Sequence, residues 1–160
     1  DALMTRTEGL ALAVLTADCV PLVMVDVTRR AVAVVHAGWR GVLAGTPAAA
    51  YSIFREVGVE GRKVLVFVGP HIRSCCLEVG EDLKERFQGK YGDGVTLTSD
   101  TGAAHLDLET ACVRQLAALG VPPSDIFTAS ECTSCTPGYF SYRSSGGRCG
   151  RQGAFAAMTV

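Results

Sequence analysis

The chain has 160 residues, of which 48% are hydrophobic and 19% charged, and its formal net charge is −1. That length supports one domain with a substantial core, and the composition excludes a disordered chain. The balanced charge excludes recruitment of nucleic acid or an anionic membrane by the overall field. No apolar run is long enough to span a bilayer, because Gly45 and Pro47 interrupt the stretch from Val42 to Phe54.

The opening Asp1-Ala2-Leu3-Met4-Thr5-Arg6 runs into strand-like sequence and lacks the basic flank and apolar core of a signal peptide. Seven cysteines are an odd number for a disulfide framework, so the thiols are read as reduced and the expected location is cytoplasmic. Leu10 to Leu15 reads as a strand ended by Thr16-Ala17-Asp18, followed by strands over Val20 to Val27 and Ala31 to Val35. Short connections predict that the three form an antiparallel meander. The last two are a hairpin turning at Thr28-Arg29. If those two residues form the loop, Pro21 lies opposite His36 and Cys19 shares their face, because side chains alternate with period two.

From Val42 the pattern becomes helical: Ala49, Ala50, Ile53, Phe54 and Val57 recur at helical spacing, Pro47 suits the first turn and Gly58 the end. Lys63 to Val68 reads as a buried strand ending at Gly69-Pro70. Leu83 and Phe87 among charged neighbours mark a short helix ending near Gly89, and Lys90 to Thr101 reads as irregular surface. Asp107 suits the cap of a third helix through Ala111, Cys112, Gln115, Leu116 and Leu119, with Gly120 as its stop. Ile126 to Ala129 and Ala154 to Val160 are the last expected strands. Antiparallel strands mixed with helices favour an α+β fold.

Cys19 and His36 both interrupt apolar strands at one sheet edge. A thiol and an imidazole that converge begin either a metal site or a thiolate nucleophile. Gly38 and Gly41 around Trp39-Arg40 let backbone approach a ligand, and Arg40 offers a planar fork for phosphate or carboxylate. Arg143, Arg148 and Arg151 flank Ser144-Ser145-Gly146-Gly147, readable as an anion-binding loop or as a solvated one, with Tyr139, Phe140 and Tyr142 able to stack a base. Cys132-Thr133-Ser134-Cys135 lacks a second such pair at zinc-ribbon spacing and reads as a turn of small residues. Cys75, Cys76 and His71 are substitute ligands for the Cys19 site or packing residues, and His105 reads as surface.

Thr16-Ala17-Asp18-Cys19-Val20-Pro21, His36-Ala37-Gly38-Trp39-Arg40-Gly41, Gly69-Pro70 with Cys75-Cys76-Leu77-Glu78-Val79-Gly80, and Tyr139-Phe140-Ser141-Tyr142-Arg143 occur in one order along the chain. This set resembles the multicopper polyphenol oxidoreductase (laccase-domain) family, whose members are largely regarded as purine nucleoside phosphorylases. The resemblance implies a layered α/β/β/α sandwich, cysteine-hydrolase-like, with antiparallel or mixed sheets. It implies one domain over residues 1–160 that lacks the family's N-terminal segment. It also implies a zinc held by His, Cys and His, with Cys19 and His36 matching two ligands; the third belongs to a Gln-Val-His-Gly-like motif upstream of this chain. The implied activity is zinc-dependent phosphorolysis of adenosine, inosine, guanosine or methylthioadenosine, with adenosine deamination. Cys19, His36 and Arg40 would be catalytic, and Arg40, Arg143 and Arg151 would bind purine nucleoside and phosphate, with a homo-oligomer among the expected partners.

Three alternatives stand beside this reading, one of them a non-enzymatic remnant or binding module that has lost its upstream ligand. A copper-dependent polyphenol oxidase suits Cys and His ligands, but a laccase-like site needs many more than the three histidines present. A metal-free hydrolase would use Cys19 as nucleophile and His36 as base.

Overall fold

The computed structural model describes residues 1–27, 31–56 and 64–159. Its centre is a hairpin of β3 (Val20–Asp26) and β4 (Ala31–Ala37), paired from Val20 opposite Ala37 to Asp26 opposite Ala31. The turn at Thr28-Arg29 lies outside the described residues. The register agrees with the tight-turn reading: Pro21 is opposite His36. Around this hairpin β1 (Ala2–Thr5), β5 (Val64–Val68) and β9 (Ile126–Thr128) complete a five-stranded sheet in the order β1-β4-β3-β5-β9. Only the β5–β9 pair in it is parallel.

The expected meander is not formed. β2 (Leu12–Thr16) leaves the main sheet and pairs antiparallel with β10 (Gln152–Ala156) in a separate two-stranded ribbon. The physical reason lies between β2 and β3. Asp18 has φ +88°, the left-handed conformation a non-glycine residue adopts at a cost, and the chain there turns from one layer into the next. The last strand accordingly begins earlier than expected, at Gln152.

The period-two pattern explains the layering. Val20, Leu22, Met24, Ala33, Val35, Ala37, Val64, Val66 and Val68 share one face of the sheet and form the main core with Ala50 and Phe54. Those two residues belong to α2 (Thr46–Glu56), which follows the predicted spacing with Pro47 in its first turn; Val57 and Gly58 lie outside the described residues. The other face carries Val32, Val34 and His36 towards the ribbon, where Val14 is buried. The helices, the five-stranded sheet and the ribbon supply α, β and β layers of a mixed α+β fold. On the ribbon, Leu15 and Phe155 are 60% and 66% exposed.

Several smaller elements depart from the sequence reading. A six-residue helix α1 (Trp39–Ala44) starts at Gly38 and stops at Gly45 with φ +85°. Three glycines near so short a run conceal its helical pattern. The second expected helix, α3 (Glu81–Tyr91), runs past Gly89 to Gly92, where φ is +76°. The supposed irregular surface contains β7 (Thr96–Thr98), which with β6 (Glu78–Val79) and β8 (Ala104–Leu106) forms a small sheet ordered β6-β8-β7.

The third helix, α4 (Leu108–Ala118), is capped as predicted. Asp107 accepts from the Thr110 backbone N–H through Oδ1 and from the Thr110 hydroxyl through Oδ2, both at 2.9 Å. Its buried Gln115 donates to the Val42 carbonyl and the Tyr91 hydroxyl, each at 2.9 Å, fixing α1 against α3 and α4. α1 therefore presents Trp39 and Arg40 from a braced position.

Candidate active site and a cluster of thiols

Cys19 follows the Asp18 turn at the start of β3, and His36 lies near the end of β4. Their approach is gauged by Gly38: a Cβ placed there would lie 2.9 Å from Cys19 Sγ and 4.0 Å from His36 Nε2. The Asp1 carboxylate is 3.9 Å from His36 Nδ1, and the other ring nitrogen, Nε2, is the one nearer Gly38. Glycine at 38 is required for this convergence rather than for backbone freedom, since its φ is −73°.

Electrostatics set the resting forms. Burial lowers the pKa of His36, favouring neutral imidazole, the form that ligates metals. Burial pushes the Cys19 thiol up, and the neighbouring Asp18 carboxylate pushes the same way against a smaller opposing effect of Arg151. A metal-free nucleophile needs the opposite shift.

Cys19 and His36 are shared by two cavities. One, of about 450 Å3, is lined also by Trp39, Leu77, Tyr142, Arg143 and Arg151. The other, of about 470 Å3, contains Arg40, Gly38, Gly41 and Thr46. The predicted arginines are thereby separated: Arg143 and Arg151 face the first cavity, Arg40 the second, and Arg148 lines neither. Both volumes fall within the range of small-molecule sites, roughly 300–1,000 Å3. A larger groove, about 670 Å3, runs beside Val23, Val25, Phe67 and Phe155, away from Cys19 and His36.

Arg40 is exposed, with its guanidinium 4.1 Å from the Trp39 ring centroid. Arg143 donates to the Cys76 carbonyl at 3.3 Å and the Glu78 carbonyl at 3.0 Å, which holds its guanidinium at the cavity wall. Arg151 donates to the carbonyls of Cys149 and Gly150, both at 2.9 Å. The glycine-rich segment folds around an aromatic: Gly147 has φ +96°, donates to the Tyr142 carbonyl and lies against the Tyr142 ring.

Asp18 is the residue whose importance the sequence reading missed. It is only 8% exposed, and its carboxylate accepts from Thr133 Oγ1 and from the Arg143 backbone N–H, both at 2.7 Å. Its own carbonyl accepts from the Ile72 N–H at 2.9 Å. One strained residue thus ties the Cys19 turn to the segments carrying Ile72, Thr133 and Arg143. The visible signal was a carboxylate where the first apolar run breaks.

The remaining cysteines are differently arranged. Cys75 and Cys76 do not join Cys19; with Cys132 and Cys135 they bring four Sγ atoms within 4.8 Å of one another. Among the described residues this is the group of three or more metal-ligating side chains that can hold a metal ion. Cys132 to Cys135 forms the expected turn, and its thiols also meet those of the Cys75-Cys76 loop, about 60 residues upstream. Burial pushes the Cys132 thiol up, but N–H bonds from Arg73, Ser134 and Cys135 outweigh it and bring it to about 7. His105 is not simply a surface residue, since its Nδ1 lies 2.7 Å from the Ser74 carbonyl beside this loop. His71 is buried, with Nδ1 at 2.9 Å from the Gly69 carbonyl and Nε2 at 3.6 Å from Glu109.

The chain is similar to several known proteins. The chain is 38% identical over 155 residues to a protein named adenosine deaminase RL5, from an unknown prokaryotic organism, covering 94% of this chain and 59% of that protein. It is 38% identical over 137 residues to a purine nucleoside phosphorylase of Bacteroides thetaiotaomicron, covering 83% of this chain and 51% of that relative. The chain thus spans roughly half to three fifths of these two relatives' length. The crystal structure of YlmD from Geobacillus stearothermophilus superimposes with a TM-score of 0.92 at 32% identity, over 100% of this chain and 61% of that one. YfiH of Bacillus licheniformis gives 0.90 at 32% identity, over 99% and 61%. Residues 1–159 match the family model for the multi-copper polyphenol oxidoreductase laccase, and the chain belongs to that family.

Proposed function

We infer that the protein carrying this chain cleaves purine nucleosides with phosphate and also deaminates adenosine, using a zinc for which Cys19 and His36 supply two ligands. The observation that carries this reading is the single cavity of about 450 Å3 that gathers Cys19, His36, two guanidinium-bearing residues and the rings of Trp39 and Tyr142. The relatives' names supply the activity class. The donor set fits zinc: a soft cysteine sulfur, which would bind as the thiolate, and a neutral imidazole, both within 4.0 Å of a Cβ placed at Gly38 and both lining open cavities. When bound, zinc supplies Lewis acidity and a water of lowered pKa for attack on the purine C6.

The chain's own side chains would do the rest. Trp39 and Tyr142 would take the base between their rings, while Arg143 and Arg151 would face the ribose. Arg40, across the Cys19–His36 pair, would hold phosphate from the second cavity. Phosphorolysis forms a bond from a phosphate oxygen to C1′ of ribose and breaks the C1′–N9 bond. The purine leaves with the bonding electron pair and takes up a proton.

The test is phosphate-dependent release of hypoxanthine from inosine by the zinc-loaded full protein. Arg40→Ala should raise the apparent KM for phosphate, and Arg143→Ala that for inosine, more than either lowers kcat. Turnover indifferent to phosphate would overturn the reading. Phenol oxidation dependent on added copper, without phosphorolysis, would replace it with the oxidase.

A further inference from the structure

The site described so far uses one of the seven cysteines. Four of the others, Cys75, Cys76, Cys132 and Cys135, converge although 60 residues separate the two pairs. Packing does not explain them. A buried free cysteine behaves as a small hydrophobe, but Cys75 and Cys135 are exposed and only Cys132 of the four is fully buried.

The local backbone aims each pair. Turns in which the Arg73 carbonyl accepts from the N–H groups of Cys76 and Leu77, at 2.9 and 3.0 Å, bring the two adjacent thiols round to one side. The Cys132 carbonyl accepts from the Thr136 N–H at 2.9 Å, a turn that places Cys132 and Cys135 on one face. The loops are joined by a bridge between His71 and Cys132, with the Thr133 N–H donating to the His71 carbonyl at 3.0 Å.

The spacing can be compared with a known coordination geometry. A tetrahedral zinc with Zn–S distances of about 2.3 Å has its sulfurs about 3.8 Å apart. Here Cys75 Sγ lies 3.7 Å from Cys76 Sγ and 3.9 Å from Cys135 Sγ, and every pair is within 4.8 Å. All seven cysteines are free. Backbone already orients one ligand, because the Arg73 N–H donates to Cys132 Sγ at 3.4 Å.

We propose that Cys75, Cys76, Cys132 and Cys135 form a second metal site, a structural tetrathiolate zinc that clamps the loop after β5 to the loop after β9. Four S–H bonds break, four Zn–S bonds form and four protons are released, leaving a closed site of net charge −2 with no open position for substrate. Its role is mechanical. Both clamped loops brace the Asp18 turn, through the Ile72 N–H and the Thr133 hydroxyl, and the Cys76 carbonyl takes a bond from Arg143. This assignment is independent of the nucleoside reading, since none of the four thiols lines the cavity of Cys19 and His36.

Metal content of the full protein, purified under reducing conditions, tests it. Cys135 is exposed, so Cys135→Ser should fold and should lose about one zinc per chain relative to the parent, whereas Cys19→Ser should keep that zinc. Cobalt(II) loaded in place of zinc should show thiolate-to-cobalt charge transfer in the Cys19→Ser protein. Cys135→His should retain the metal with about a quarter less of that absorbance, one thiolate of four being replaced. Full metal retention in both Cys135→Ser and Cys132→Ser would overturn the proposal, as would iron in place of zinc or four freely alkylated thiols in zinc-supplied protein. Absence of phosphorolysis in the unsubstituted protein, with this metal present, would count against the nucleoside reading alone.

Discussion

The Cys19–His36 pair and the four-thiol cluster are both built from loops at strand ends, yet they differ in completeness and in what surrounds them. The pair offers two donors beside open cavities, with arginines and aromatic rings around it. The cluster offers four donors within 4.8 Å of one another, enough to fill a tetrahedral metal with protein ligands alone. A metal with vacant positions can handle substrate, and one whose positions are all filled by protein can only hold chain together. The contrast teaches that ligand count and lining chemistry, rather than the mere presence of cysteine, separate a reactive site from a staple. Asp18 couples the two regions through Thr133.

The strongest way to break this comparison is to exchange the phenotypes. Cys19→Ser or His36→Ala should reduce turnover by more than the roughly 10–100-fold that outer-shell changes cost, while changing stability by about 1 kcal/mol or less. Paired measurement of kcat/KM and denaturant midpoint would reveal it. A Cys19 variant that unfolds while keeping its activity when folded would place the staple at the wrong cluster.

Next in size is the link between them. Asp18→Ala strands the Thr133 hydroxyl and the Arg143 N–H without their acceptor and leaves a β-carbon residue in the left-handed conformation. A loss on the order of 3 kcal/mol is expected in equilibrium unfolding. Asp18→Asn, which tolerates that conformation and keeps an acceptor oxygen, should lose less.

Gly38→Ala sharpens the active-site half. Its new methyl would meet Cys19 Sγ at 2.9 Å, so the thiol must move. Turnover should fall about 10–100-fold through misplacement, with a stability cost of about 1 kcal/mol. An unchanged kcat would show that Cys19 has no fixed position to defend.

The smallest expected effect is a pH dependence at His71, which lies between the two regions. Burial lowers its pKa, against the opposing influences of the Gly69 carbonyl and Glu109. The folded state therefore binds this proton less readily than the unfolded chain. Stability from this residue is complete above the unfolded pKa of about 6.5 and declines as pH falls below it. Unfolding curves at pH 8 and pH 5.5 should differ, and His71→Gln should reduce the difference; equal slopes for both proteins would remove His71 as the cause.

Much of the main sheet was legible along the chain, for a physical reason. The hairpin alternation is a local, period-two signal, and it correctly placed Pro21 opposite His36 and Cys19 nearby. Helix α4 was equally readable, because its Asp107 cap and apolar spacing are contained in a dozen residues. The partner of β2 was not readable: a single left-handed residue sends the chain between layers, and its pairing with β10 joins segments more than 130 residues apart. Helix α1 was hidden by its glycines, and Arg40 was separated from Arg143 and Arg151 only by the folding of α1.

By itself, then, the order of residues determined the α+β class, the central hairpin and the meeting of one thiol with one imidazole, since each depends on contacts close in sequence or on a register that side-chain alternation specifies. Tertiary structure alone decided that Cys75-Cys76 meets Cys132 and Cys135, and that Asp18 bridges the two regions. Those contacts span 60 and more than 100 residues, and no local period encodes which distant loops will pack together.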